Sequence, residues 1–132
     1  MTKRMAINPW DWSLPLGYNQ GETVAGGART LYCAGQTATD GLGRPCHPGD
    51  MGAQLALCMD NLEAVLRGSG MSLANLVKLS IATTDVDELF RHWGVLASRL
   101  GQAGVAPPAT LLGVSRLALP ELLVECEAIA VD

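Results

Sequence analysis

The last stretch of the chain, LLVECEAIAVD over residues 122–132, constrains the fold more than any other segment. Side chains of a β-strand alternate between the two faces of a sheet. One face of this strand is apolar and small, which suits packing under helices; its residues are Leu122, Val124, Cys126, Ala128 and Ala130. The other face carries Glu125 and Glu127 among apolar residues. This mixed face favours a subunit interface with a polar pocket over pure core or pure solvent.

Two segments have the 3.6-residue apolar period of amphipathic helices. The first covers about residues 51–67, where Asp50 is a suitable N-cap and the glycines of GSG end the helix. The second covers about residues 86–100 and is followed by prolines that cannot continue it. His92 lies on the polar side of this second helix and is expected to be solvated.

Five segments are predicted to be strands. YNQGETVAGGARTLYCAG indicates two strands around the turn AGGAR, and the β-branched segment 76–85 indicates a third. Strands at about residues 109–117 and 122–131 complete the chain. The order β-β-α-β-α-β-β has no internal linker. We therefore predict one α+β domain over residues 1–132, with a mixed sheet and both helices on one face.

Composition limits the partners of this chain. The formal net charge of -4 disfavours nucleic acid, whose phosphates attract dense positive charge, and no Lys/Arg cluster is present. No window approaches the about 18–20 apolar residues that span a bilayer. The N-terminal MTKRMAINPWDW lacks the apolar core of a signal peptide. We therefore expect a cytoplasmic protein that binds neither nucleic acid nor membrane.

The four cysteines are widely spaced, at positions 33, 46, 58 and 126, without a CxxC motif. In a reducing compartment this pattern is typical of free thiols that act as small buried hydrophobes. Cys46 and His47 form a neighbouring Cys/His pair in a turn-rich loop, but their spacing matches no metal-binding motif. We therefore expect no metal.

Several motifs, taken in order, resemble the reactive intermediate deaminase family (the Rid or YjgF-like proteins, also called the endoribonuclease L-PSP family). They are GYNQG, AGQTATDGLG, NLEAVLRGSGMSLANLVKLSIATTD, PPAT and VECEAIAV, and they extend over about residues 17–132. The resemblance implies a chorismate-mutase-like fold assembled as a homotrimer, with small-molecule ligands in clefts between subunits. It also implies hydrolysis of an enamine or imine to a ketone and ammonia, without a cofactor.

The resemblance places Glu125 in the cleft as the carboxylate that holds or activates the attacking water. The residues that it places there for substrate binding are Tyr18, Cys33, Ala34 and Thr110. Glu127 is interpreted as a bystander that faces solvent or a neighbouring subunit. Trp10 and Trp12, in NPWDW, either pack over the core or add an aromatic wall to a cleft.

One position departs from the family pattern. Members carry an arginine where this chain has Thr110, and that arginine binds the substrate carboxylate as a bidentate partner. A threonine cannot neutralise a carboxylate, and loss of the charged contact would cost about 3–5 kcal/mol of binding. Arg116 shares the strand parity of Thr110 but would lie about 20 Å away along an extended strand.

Two functions therefore stay open from the sequence. The first is an imine or enamine deaminase with an altered substrate range and weak or absent activity on 2-aminoacrylate. The second is a trimer of the same fold that binds small metabolites without converting them.

Overall fold

The computed structural model describes residues 2–132, which fold into both strands and helices. In chain order they are β1 (Lys3–Ile7), β2 (Gly21–Ala25), β3 (Thr30–Thr37), α1 (Met51–Gly68), β4 (Leu76–Thr83), α2 (Val86–Arg91), α3 (Trp93–Gln102), β5 (Ala109–Gly113) and β6 (Val124–Val131). Short 3-10 turns cover Leu14–Leu16 and Leu73–Asn75. None of the described helices is both long and apolar enough to cross a membrane.

The main sheet has four strands in the order β3-β6-β4-β5. β6 runs antiparallel to β3 and β4, whereas β5 runs parallel to β4, so the sheet is mixed as predicted. α1 packs across β3 and β6, and α2 and α3 contact α1. The even-numbered residues from 122 to 130 are all buried, and the odd-numbered ones are partly or largely exposed. The predicted fold class and the assignment of faces in the last strand are both confirmed.

The core lies between α1 and the sheet. Fully buried side chains of α1, among them Leu55, Met59 and Leu62, recur at the helical period and meet Leu79 of β4 and other apolar residues of the sheet. The helix begins where the sequence predicts, because the Asp50 carboxylate accepts a hydrogen bond from the Ala53 amide at 3.0 Å.

The predicted hairpin around AGGAR is wrong. β2 pairs with β1 in a separate two-stranded sheet, and β3 pairs with β6 instead. The end of β6 holds the chain directly after the glycines, because Ala28 N donates to Asp132 O at 2.8 Å and Asp132 N donates to Arg29 O at 3.2 Å. The position of β3 is therefore set by its pairing with β6 and not by a hairpin with β2.

The second helix is broken at His92, where the sequence predicts continuity. The His92 ring packs against α1 at Gly52, where an added Cβ would stand 2.8 Å from Nδ1. His92 Nε2 also lies 3.1 Å from Glu88 Oε1. His92 is thus half-buried, with 38% of its side chain exposed, so it is less solvated than predicted. The missing Cβ at Gly52 permits this close approach.

Three strand boundaries also differ from the prediction. β4 ends before Asp85, whose carboxylate instead caps α2 by accepting from Glu88 N at 3.0 Å. β6 begins at Val124. β5 stops at Gly113, and Arg116 lies in the following loop, where its guanidinium donates to the carbonyls of Leu117 at 3.3 Å and Ala118 at 3.4 Å. Arg116 therefore does not belong to the strand that carries Thr110.

A buried glutamine joins α1 to the start of β6. Gln54 is fully buried, and its Oε1 accepts from Leu123 N at 2.8 Å while its Nε2 donates to Glu121 O at 2.8 Å. The same Nε2 donates to His47 O at 3.2 Å. Gln54 thereby fixes the chain immediately before the strand that carries Glu125.

Replacing Gln54 by leucine should lower the free energy of unfolding by about 1–3 kcal/mol, because the Leu123 amide loses its partner next to the core. Chemical denaturation measures this difference. Gln102→Leu, at an exposed position of α3, is the matched control and should change stability little. Equal unfolding free energies for the two variants would contradict the role assigned to Gln54.

Candidate active site

We call the sheet face opposite the helices the open face. It carries a short group of polar side chains. The registers of β4, β5 and β6 arrange it in two neighbouring rows across the strands. One row contains Glu127, Ser80 and Thr110, and the next contains Glu125, Ala82 and Leu112. All six line one pocket of about 320 Å³, which we call the polar pocket. The structure therefore brings the predicted residues Glu125 and Thr110 to the same pocket, with Thr110 in the row of Glu127.

The side chain of Glu125 lies directly on Gly35 of β3. The β3–β6 register shifts between Cys33 and Gln36, so that β3 bulges at Ala34 and Gly35. A Cβ added to Gly35 would stand 1.9 Å from Glu125 Oε1 and 2.7 Å from its carboxyl carbon. Glycine at this position is therefore required for the observed position of the carboxylate. The sequence signal for Gly35 was a glycine inside a strand pattern, which often marks a bulge or a close approach.

Glu125 is half-buried and has no ion-pair partner among residues 2–132. Several arginines of the described residues form ion pairs with other carboxylates. Arg99, for example, pairs with Asp60 and Glu63. A carboxylate that is not held by a cation keeps its oxygens available to accept a proton or to orient a water molecule.

Lys78 is a site residue that the sequence analysis missed. Its Nζ donates to Thr110 Oγ1 at 2.8 Å, so an ammonium group stands beside the position where the family resemblance implies an arginine. Lys78 shares strand parity with Ser80 on β4, and that alternation was the available signal. Arg116, the cation weighed from the sequence, lies in a loop instead. The polar pocket is therefore bordered by a positive charge despite the threonine.

A second pocket, of about 340 Å³, lies at the edge of the sheet beside β5; we call it the aromatic pocket. Its walls include Leu16, Tyr18, Phe90, Trp93, Thr110 and Leu111. Thr110 and Ile81 line both pockets, so the two pockets adjoin at these residues. The predicted site residue Tyr18 therefore joins Thr110 in the aromatic pocket, whereas Glu125 lies in the polar one.

The walls of the aromatic pocket are held together by contacts between distant parts of the chain. Trp93 Nε1 donates to Leu16 O at 3.2 Å, which ties the N-terminal segment to α3. Trp12 stands edge-on to Tyr18 with ring centroids 6.1 Å apart, so Trp12 supports the aromatic wall and does not cover the core. Trp10 is 62% exposed.

The remaining two predicted residues lie on β3. Cys33 is only 6% exposed and packs in the main core, and burial raises the pKa of its thiol, which disfavours the reactive thiolate. Ala34 is exposed on the bulge next to Gly35. Cys46 is half-exposed, and no group of three or more His, Cys, Asp and Glu residues suited to a metal ion occurs within residues 2–132.

Comparison with known proteins finds similar solved structures and a similar curated protein. The Rid protein YyfB of Yersinia pestis is 33% identical, with a TM-score of 0.82 and coverage of 98% of both chains. TdcF of E. coli, solved with bound serine, is 25% identical, with a TM-score of 0.71 over 96% of this chain and 91% of that one. A RutC family protein of Pyrococcus horikoshii is 30% identical over 100 residues, covering 76% of this chain and 77% of the relative.

The family model described as Endoribonuclease L-PSP matches residues 16–132, which is nearly the whole chain. The structural likeness to a Rid protein extends over 98% of this chain. The chain therefore belongs to the endoribonuclease L-PSP family, the family of the Rid and YjgF proteins.

Proposed function

We propose that this protein is a cytoplasmic, cofactor-free hydrolase that converts imines or enamines into carbonyl compounds and ammonia. The observation that carries the proposal is the Glu125 carboxylate, which is half-buried, seated on Gly35 and without an ion-pair partner among the described residues. The TdcF relative contains bound serine, which supports a small amino-acid-derived ligand for a site of this fold.

The reaction needs one group that moves a proton at two stages. Glu125 takes a proton from water while the water oxygen attacks the C=N carbon and the nitrogen takes a proton from solvent, which gives a carbinolamine. Glu125 then returns its proton to the nitrogen, the C–N bond breaks, and the hydroxyl proton leaves as the carbonyl forms. One imine and one water thus give one carbonyl compound and one ammonia. An enamine first becomes an imine by protonation at carbon and loss of a proton from nitrogen to solvent.

The substrate's polar end is assigned to Thr110 and Lys78. The hydroxyl and the ammonium, 2.8 Å apart, supply hydrogen bonds and one positive charge at the border of the polar pocket. A lysine is a point charge and does not form the fork of an arginine. We therefore expect an altered substrate range and weak turnover of 2-aminoacrylate.

We also propose that the open face is completed by other copies of this chain in a homotrimer, which places the ligand between subunits. Tyr32 and Leu112 lie on this face and are 74% and 59% exposed. Large apolar side chains at such exposure favour burial against a partner surface.

The proposal is tested by competition with semicarbazide, which traps free imines as semicarbazones that absorb in the ultraviolet. An amino-acid oxidase generates the imine, and added protein should lower the yield of semicarbazone while carbonyl compound and ammonia appear in equal amounts. An unchanged yield together with ligand binding in protein NMR spectra would favour the alternative, a non-catalytic metabolite-binding trimer. The observation that favours this alternative is the threonine at position 110.

A further inference from the structure

We propose that the substrate carries an aromatic or branched hydrocarbon group, which binds in the aromatic pocket while the imine carbon lies near Glu125 in the polar pocket. This inference rests on the proposed function and names the substrate class of the same site.

The first support is the chemistry of the aromatic pocket. Its volume of about 340 Å³ lies within the range of small-molecule sites, about 300–1,000 Å³. Leu16, Phe90, Trp93 and Leu111 present hydrocarbon surface, whereas the polar side chains at the wall are the hydroxyl-bearing Tyr18 and Thr110. A pocket with this lining favours an uncharged, apolar group over a charged one.

The second support is that the pocket is already formed. Phe90 and Trp93 are in contact, with ring centroids 5.9 Å apart, and the indole of Trp93 is fixed by its hydrogen bond to Leu16 O. Phe90 is nevertheless 55% exposed, so an apolar ligand would remove aromatic surface from water without a rearrangement of the walls.

The third support is the size of residue 110. Thr110 and Ile81 line both pockets, so the two pockets adjoin at the edge of the sheet. An arginine at position 110 of this edge strand would place a longer, charged side chain where the two pockets adjoin. The short threonine side chain thus leaves the space where the pockets adjoin available to a ligand with a polar end and an apolar end.

The experiment compares imines generated by an amino-acid oxidase from alanine, leucine and phenylalanine. We expect kcat/KM to rise along this series, with the phenylalanine imine preferred over the alanine imine by about 100-fold. Thr110→Arg should reduce this ratio by placing a long charged side chain where the two pockets adjoin, whereas the matched control Thr84→Arg, at an exposed loop position outside both pockets, should keep it. Turnover of all three imines at similar kcat/KM would overturn the inference and leave the proposed function intact.

A binding measurement that needs no turnover separates the two proposals. Phenylpyruvate, the carbonyl product of the phenylalanine imine, should quench tryptophan fluorescence through Trp93, and Trp93→Phe should remove most of that quenching. Pyruvate should quench far less. Absence of quenching by phenylpyruvate would overturn the inference, since it would show that the pocket is filled by a neighbouring copy or closed in solution. Quenching without turnover of any imine would instead contradict the proposed function alone.

Discussion

Glu125→Gln should lower kcat/KM for imine hydrolysis by about 10²–10⁴-fold, which is the usual contribution of a positioned general base. Glutamine keeps the shape of the side chain but cannot take a proton from water. The variant should therefore fold normally and still bind carbonyl products, because Thr110 and Lys78 are unchanged. Initial rates over a range of imine concentrations, together with a thermal unfolding curve, measure both effects.

Glu127→Gln is the matched control for this substitution. Glu127 lies two residues along the same strand on the open face, is exposed, and faces the same pocket. Removing its charge should alter kcat/KM far less than Glu125→Gln does, because the carboxylate seated on Gly35 is that of Glu125. Equal losses of kcat/KM in the two variants would contradict a general base at position 125. They would show that the total charge of the polar pocket determines the rate.

Gly35→Ala should cause a loss of activity similar in size to that of Glu125→Gln, about 10²-fold or more. The added Cβ would stand 1.9 Å from Glu125 Oε1, so the carboxylate must move away from its place on the bulge. The clash involves the end of a flexible side chain, and the free energy of unfolding should therefore fall only modestly. The backbone of Gly35 is not in the left-handed region, so alanine brings no backbone strain.

Two further variants make this prediction specific. The double variant Gly35→Ala/Glu125→Gln should be no less active than Glu125→Gln alone, because both changes remove the same contribution. Gly41→Ala is the control, since an added Cβ there meets no atom within 4 Å. Full activity of Gly35→Ala would show that the bulge does not set the position of the base.

The sequence predicts well those helices and strands whose apolar residues recur at a regular spacing. α1 and β6 each have one apolar face, and burial of that face against the same core specifies both elements. β1 was missed because KRMAI is fully exposed and forms a strand only through its pairing with β2. At the break, the His92 ring lies against Gly52, forty residues earlier, and a contact so distant in sequence leaves no local signal.

The candidate site shows the same division. Glu125, Tyr18 and Thr110 were named from motif resemblance, and the structure groups them around two pockets that meet. Gly35 and Lys78 were not named from the sequence, because each acts through a contact with a residue of another strand. Gly35 matters through a carboxylate on β6, and Lys78 matters through a hydroxyl on β5. The sequence analysis weighed only Arg116, on the predicted strand of Thr110, as a substitute for the arginine.

The central claim, that this chain hydrolyses imines through Glu125, is tested most directly with a preformed N-unsubstituted phenyl ketimine, which needs no oxidase. Its ultraviolet absorbance is followed after dilution into buffer that contains increasing amounts of protein. We predict that the rate of imine loss rises in proportion to wild-type protein, with equal yields of ketone and ammonia, and stays near the buffer rate with Glu125→Gln. A rate equal to that of buffer at every concentration of wild-type protein would contradict the claim.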